Sequence, residues 1–309
     1  MIPAYNVAEH LPRCLRSVLG QSRPPEEVLV VDDGSTDGTA AAASRFGPPV
    51  RVIRQQNAGA SAARNRGILE ARGQFVAFLD SDDEWLESHL ANAARTFEAH
   101  PELQWYCDPT EAIRPNGIRV LFQASPDPGE AEEGVLSDFL VAQARHWLIS
   151  TDSVVVRRSA FAEVGLFETS LPVGEDRDLW FRLGLRFPRI GYCPEIGARY
   201  TSRQGSLTAS GLLSAELSMT RMARLTEAVR RAGGDAESRA RPLLCNWTVS
   251  TLKQVLRGGD RGEIRWILKG LSPFVPPAWK AIAHVYLWMP WLVRLYWLVA
   301  DAWRRRASS

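Results

Sequence analysis

FVAFLDSDD, residues Phe75 to Asp83, decides how the rest of the chain is read. An apolar run ends in three carboxylates, Asp80, Asp82 and Asp83, interrupted only by Ser81. Strands covered on both faces read as continuous apolar runs, so Phe75 to Leu79 predicts a buried strand with acids at its C-terminal end. Ligands of open α/β sheets bind at such ends, and crowded carboxylates repel one another unless a cation shares them. Two readings stand side by side: a divalent metal carrying a phosphate, or acids that cap the following helix.

Working back towards the N-terminus, Val28 to Val31 is a second apolar run that ends in acids, Asp32, Asp33 and Asp37. The Ala-rich 39 to 46 predicts a helix, Val50 to Ile53 a third strand, and Asn57 to Gly67 a segment of small residues leading into a helix that carries Arg64 and Arg66. Upstream, Met1 and Ile2 read as the end of a first strand. The turn Pro3 to Asn6 follows, then a helix with Leu11, Leu15 and Val18 at helical spacing. Either translation begins late in this strand or the assigned start lies too far downstream. The alternation of strand and helix predicts a largely parallel sheet whose acid-bearing ends share one edge.

Working forward, Trp85 opens an amphipathic helix to Ala99, then come a strand over Leu103 to Cys107, a hairpin around Asn116-Gly117, and a loop over 124 to 134. A β-type run at Ser153 to Val156 and a short helix to Val164 precede a third acidic site. There Gly174, Glu175 and Asp176 open a helix with Leu179, Leu183 and Phe187 as its apolar stripe. A helix N-terminus favours a charged carboxylate, which suits a general base, although first-turn acids are also ordinary helix chemistry. From residue 211 the pattern is helical, over 211 to 232, 238 to 257 and 260 to 270, with no internal repeat. The stretch 278 to 303 carries Trp279, Trp288, Trp291, Trp297 and Trp303, and Arg304 to Arg306 follow. Its apolar run is too short to span a bilayer, so the choice lies between an interfacial helix and ordinary packing.

With 309 residues, 45% of them hydrophobic, the chain has material for one large or two smaller cores. A formal net charge of +2 argues against bulk nucleic-acid binding. Cys14, Cys107, Cys193 and Cys245 lack the spacing of a zinc site or a disulfide framework, and the N-terminus lacks a signal-peptide pattern. A cytoplasmic location is therefore expected, with a peripheral place on the cytoplasmic face of the membrane if the tail is interfacial.

Together the motifs resemble the family 2 glycosyltransferases over about residues 1 to 208. The resemblance is carried by PAYN (Pro3 to Asn6), VVDDGSTDGT (Val30 to Thr39), NAGASAARNRG (Asn57 to Gly67), FLDSDDEW (Phe78 to Trp85), VGLFE (Val164 to Glu168), GEDRDLWFRL (Gly174 to Leu183) and YTSRQGSLT (Tyr200 to Thr208). It implies an α/β GT-A nucleotide-sugar-binding fold, with a mostly parallel central sheet flanked by helices and a C-terminal helical extension. The resemblance implies a catalytic domain over 1–208, and the helical pattern makes 209–309 a C-terminal region that associates with a membrane if the Trp-rich tail is interfacial. The implied activity is inverting transfer of a sugar from a nucleotide-diphosphate sugar to an acceptor hydroxyl, in cell-surface polysaccharide or glycolipid synthesis, with a glycan or a lipid-linked molecule as acceptor.

By position, Pro3 resembles the element beside the nucleotide base, Asp33 the carboxylate that reads it, and Arg64 the basic nucleotide contact. Tyr5 and Asn57 join the nucleotide-sugar contacts. Asp80 and Asp82 match the DxD motif, with Asp82 as direct ligand of Mg²⁺ or Mn²⁺ and Asp80 nearer the ribose or a metal-bound water. Asp176 matches the catalytic base, with Glu175 supporting it. Arg203 stands where many members carry histidine, so a diphosphate contact there would fall to a permanent cation.

Rival readings lack their motifs: no GxGxR loop of a nucleotidyltransferase follows the first strand, and DDGST lacks the DxDxT spacing of a haloacid-type phosphatase. A non-catalytic nucleotide-sugar-binding module is the alternative of a different class. Such modules commonly lose the metal or base carboxylate, and Asp82 and Asp176 are both here.

Overall fold

The computed structural model describes residues 1–113, 117–121, 131–132, 134–145, 148–201, 215–258 and 261–289. The chain divides into two compact units, Met1–Ser210 and Gly211–Ser309.

The first unit opens with three parallel strands, β1 (Ile2–Ala4), β2 (Val28–Asp32) and β3 (Val50–Arg54), with Ile2 opposite Val30 and Val28 opposite Val50. Helix α1 (Leu11–Leu19) joins β1 to β2, and its Leu11, Cys14, Leu15 and Val18 are buried because they recur three and four residues apart on one face. Helix α2 (Thr39–Ser44) joins β2 to β3, and α3 (Ala60–Glu70) leads to β4 (Phe75–Ala77). The Met1 amine donates to the Ala77 carbonyl at 2.8 Å and the Leu79 N–H to the Met1 carbonyl at 3.2 Å, which ties β1 to the strand that carries the acids.

Beyond that point come β5 (Glu84–Trp85), α4 (His89–Ala99), β6 (Trp105–Cys107), β7 (Thr110–Ile113), β8 (Arg119–Leu121), β9 (Ala131–Glu132), β10 (Val135–Leu136) and α5 (Phe139–Ala144). A 3-10 turn at Thr151–Ser153 precedes β11 (Val155–Arg157), followed by α6 (Ala160–Val164), α7 (Glu175–Arg186), β12 (Ile190–Tyr192) and β13 (Ala198–Thr201). These strands form a six-stranded sheet, β4-β11-β6-β12-β10-β9, and a four-stranded one, β5-β13-β7-β8.

Of the largely parallel sheet expected, parallel pairing runs through β1–β3 and the β6–β12 and β7–β13 pairs, while β4–β11, β6–β11, β10–β12, β9–β10, β5–β13 and β7–β8 run antiparallel. Parallel neighbours need a long crossover, whereas the short links between β7 and β8 and between β9 and β10 allow only antiparallel pairing. Residue 116 of the expected hairpin and residues 124–130 and 133 of the expected loop lie outside the described residues. The remainder of that loop is not irregular, since Ala131–Glu132 pairs with Val135–Leu136.

Under the acid-bearing edge, Phe78 packs edge-on against Phe161, Phe167 and Trp180, with ring centroids 6.3, 5.5 and 5.9 Å apart. This aromatic nest fixes β4 against α6 and α7, and so holds the two acid-bearing segments in register.

The second unit is helical: α8 (Ala215–Ala232), α9 (Ala236–Gly258), α10 (Arg261–Gly270) and α11 (Pro277–Trp288). Leu225, Leu244, Leu252, Ile264, Ile267 and Tyr286 are buried at its centre. Among the described residues no helix is long and apolar enough to cross a membrane.

Candidate active site

The strand-end loops are knitted to one another before any ligand is considered. Asn6, in the left-handed region at φ +51°, donates its N–H to Ser35 Oγ at 3.0 Å and accepts the Thr36 N–H at 2.9 Å. The Val7 N–H reaches Thr39 Oγ1 at 2.9 Å, so the Pro3–Asn6 turn and the loop after β2 form one rim. Pro3 is buried within β1, Tyr5 is 49% exposed, and Asn57 is exposed.

Asp33 is buried, and its carboxylate accepts from Gln55 Nε2 at 2.8 Å, the Ala58 N–H at 3.0 Å and the Gly59 N–H at 2.8 Å. It therefore clamps the segment that leads into α3. Its neighbour Asp32 is held by Arg54 Nε at 2.9 Å and the Ser35 N–H at 3.2 Å.

The acids after β4 gather around a buried arginine. Arg64 points from α3 with 6% of its side chain exposed, donating from Nη2 to Asp80 Oδ1 and from Nη1 to Glu175 Oε1, each at 2.7 Å. The Phe167 ring lies 5.4 Å below the guanidinium, and Asn65 exchanges two 2.8 Å hydrogen bonds with the Phe167 backbone. Burial alone would lower the Arg64 pKa, but Asp80 and Glu175 outweigh it and raise it.

Asp80, Asp83 and Asp152 each place a carboxylate oxygen within 4.8 Å of the others. Asp152 belongs to the 3-10 turn before β11 and had no place in the sequence reading. Its Oδ1 accepts the Asp80 N–H at 2.8 Å, its Oδ2 the Ser150 hydroxyl at 2.9 Å, and its carbonyl the Trp85 indole N–H at 2.7 Å. Asp83, fully buried, accepts the Thr201 N–H on Oδ1 at 2.7 Å, while its Oδ2 has no hydrogen-bond partner. Burial, then the charges of Asp152 and Asp80, raise the Asp83 pKa; burial and then Asp80 raise that of Asp152 to about 6. Asp82 stands apart from this trio. It is half-buried, and its carbonyl accepts Arg13 Nη2 at 2.6 Å.

Helix α7 brings the third acidic site to the same place. Gly174 at its N-cap adopts φ +81°, a turn a side chain would strain, and delivers Glu175 to Arg64. Burial and the charge of Asp176 raise the Glu175 pKa, with Arg64 opposing them. Asp176 Oδ1 accepts the Arg177 N–H at 2.7 Å, and Thr151 Oγ1 stands 3.5 Å from Oδ2. The turn Thr151–Ser153 thus touches both Asp80 and Asp176. Of the residues read from the sequence, Arg64, Asp80, Glu175 and Asp176 are brought together, Pro3, Tyr5, Asp33 and Asn57 sit on the rim around the loop after β2, and Arg203 lies outside the described residues.

The donor set fits a hard divalent cation. It offers only carboxylate oxygens, and oxygen ligands of such an ion at ~2.0–2.6 Å stand about 4 to 5 Å apart across it. Burial, together with the neighbouring carboxylates, disfavours the charged forms of Asp83 and Asp152 and raises their pKa values, a penalty that a bound cation would offset.

A family model described as Glycosyl transferase family 2 matches residues 1–124. An Escherichia coli K12 relative, the glycosyltransferase YibD, is 36% identical over 137 residues, covering 38% of this chain and 40% of its own length. TuaG of Bacillus subtilis 168, named for teichuronic acid biosynthesis, is 40% identical over 92 residues, covering 28% of this chain and 36% of its own. The chain thus spans less than two thirds of the length of these relatives. The crystal structure of S. aureus TarS 1-349 with UDP-GlcNAc superposes with a TM-score of 0.74 at 21% identity, over 98% of this chain and 90% of that one. At that identity the likeness shows the fold.

Proposed function

We propose, for a chain whose residues 1–124 match the glycosyl transferase family 2 model, that it moves a sugar with inversion from a nucleotide-diphosphate sugar to an acceptor hydroxyl. The observation that carries this reading is the pair of 2.7 Å bonds from Arg64, which join the acidic turn after β4 to the helix that presents Asp176. One side of the site then faces a leaving diphosphate and the other an incoming nucleophile. Both are needed for a single displacement.

In this mechanism Asp176 takes the proton of the acceptor hydroxyl on Oδ2, as the acceptor oxygen bonds to the anomeric carbon and the bond to the diphosphate oxygen breaks. Glu175, held by Arg64, fixes the first turn of α7. Asp80, which also belongs to the Asp80–Asp83–Asp152 group, and Asp82 are the more accessible acids of their turn and would hold Mg²⁺ or Mn²⁺, which would neutralise charge on the departing diphosphate. Asp83 and Asp152, buried behind that turn, would meet such an ion only on its protein side. The base of the nucleotide lies along the rim of Pro3, Tyr5, Asp33 and Asn57, and the diphosphate contact is assigned to Arg203 from its motif alone.

The catalytic part is residues 1–208 and the helical part 209–309. The name of TuaG supports a role in cell-surface polysaccharide or glycolipid synthesis. We place the enzyme in the cytoplasm, peripheral on the membrane's cytoplasmic face, with a glycan or lipid-linked acceptor. The test is a screen of UDP-, GDP- and dTDP-sugars with Mn²⁺, following donor binding and slow hydrolysis. One donor class turned over only with metal is expected; neither binding nor hydrolysis of any donor would overturn the reading.

A further inference from the structure

Helix α11 carries two apolar faces. Ala283 and Tyr286 are fully buried within the helical unit. Ile282, Val285, Trp288 and Met289 are 36%, 45%, 84% and 49% exposed. At 100° per residue these four fall within one arc of about 120°. Exposed Ala278 and Ala281 extend the stripe along the same arc. A stripe of this kind, with tryptophan at its end, suits the boundary between headgroups and acyl chains.

Charge separates a lipid surface from a second protein copy as the occupant. Residues 211–309 carry 16 Lys and Arg against 7 Asp and Glu, while residues 1–210 carry 21 against 28. A unit with that excess of positive charge repels another copy of itself and is drawn to anionic headgroups. Exposed His284 borders the stripe, half-buried Lys280 lies further round the helix, and the Lys253 ammonium lies 5.1 Å over the Trp279 ring on the inner side of the helix. No described helix is long and apolar enough to cross the bilayer, so the contact is one of lying on its surface.

We propose that the Ile282–Val285–Trp288–Met289 face of α11 docks the helical unit on an anionic lipid surface. This deepens the peripheral placement above by naming the face and the lipid chemistry, and it is read independently of sugar transfer. The experiment is co-sedimentation of the full chain with phosphatidylcholine vesicles, and with vesicles that also contain phosphatidylglycerol, comparing wild type with the Val285→Glu/Trp288→Glu variant. Circular dichroism and donor hydrolysis in solution check that the variant is folded. Expected are salt-sensitive binding that favours the anionic vesicles and about a tenfold or greater loss of it in the variant. Equal binding of variant and wild type would overturn the proposal, as would a wild type that ignores vesicles but forms a dimer the variant abolishes.

Discussion

Arg64 Nη2 lies 2.7 Å from Asp80 Oδ1 with its side chain 6% exposed, and the same guanidinium holds Glu175 at 2.7 Å. A buried cation shared by two carboxylates from separate segments is a positional lock. Removing it leaves two negative charges facing each other in low dielectric.

Arg64→Met should therefore cost about 3–5 kcal/mol in urea unfolding and abolish transfer. Arg64→Lys keeps the charge but lacks the fork to span both partners, so it should fold and lose about 10- to 100-fold in kcat/KM. Wild-type kinetics in Arg64→Lys would show that the lock is dispensable.

Asp152 links pH to stability. Its folded pKa of about 6 lies above the ordinary 3.8, because burial and then Asp80 disfavour its charge. Between those values the folded state holds more protons than the unfolded, so this group's contribution falls as pH rises through the window. In metal-free protein Asp152→Asn should raise stability at pH 8 by on the order of 2 kcal/mol, with the gain shrinking as pH falls below about 6. Thermal melts across pH check it; a pH-independent difference would contradict it.

Metal should act through the accessible acids. Mn²⁺ should raise Tm and support donor hydrolysis in wild type, and both effects should be lost in Asp80→Asn and Asp82→Asn. Asp83→Asn, which keeps an oxygen to accept the Thr201 N–H and removes a carboxylate whose charge burial disfavours, should keep Mn²⁺ binding and not lower stability. Titration calorimetry with Mn²⁺ separates the two classes, and tight binding that survives Asp82→Asn would move the ligand role to the Asp83–Asp152 pair.

Gly197 tests the packing behind β13. A Cβ there would sit 1.9 Å from Asp108 Oδ2, whose carboxylate is pinned by His89 Nδ1 at 2.7 Å and the Tyr106 hydroxyl at 3.2 Å. Gly197→Ala should lower stability by about 3 kcal/mol or more, read as a fall in Tm. An unchanged Tm would mean the carboxylate can step aside.

The strand-end acids were legible because each motif is local. An apolar run followed by Asp80, Asp82 and Asp83 advertises both a strand and its functional end, and Gly174-Glu175-Asp176 advertises a helix start. What was not legible depends on distant partners. Asp152 sits in a Ser-Thr-Asp-Ser turn whose one retrospective signal is an acid placed two residues before the buried run Val154 to Val156. Its pairing with Asp80 arises only when β11 adds antiparallel to β4. Arg64 reads as a nucleotide contact from its motif, yet its two closest partners come from the turn after β4 and from α7. Asp33 reads from its motif as the carboxylate that meets the nucleotide base, yet it closes three hydrogen bonds to residues 55–59. The exposed stripe of α11 was half visible, since tryptophan content shows in sequence while the side it faces does not.

The central claim is that Asp176 is the base in a site whose donor half lies on the opposite side of Arg64. Asp176→Asn, an isosteric change, isolates it. With the donor identified by the screen, nucleotide-sugar affinity in the presence of Mn²⁺ and the rate of transfer to acceptor should be measured on the same preparation. The account predicts affinity within about twofold of wild type and a transfer rate lower by roughly 10²-fold or more. Transfer at the wild-type rate in Asp176→Asn would contradict it.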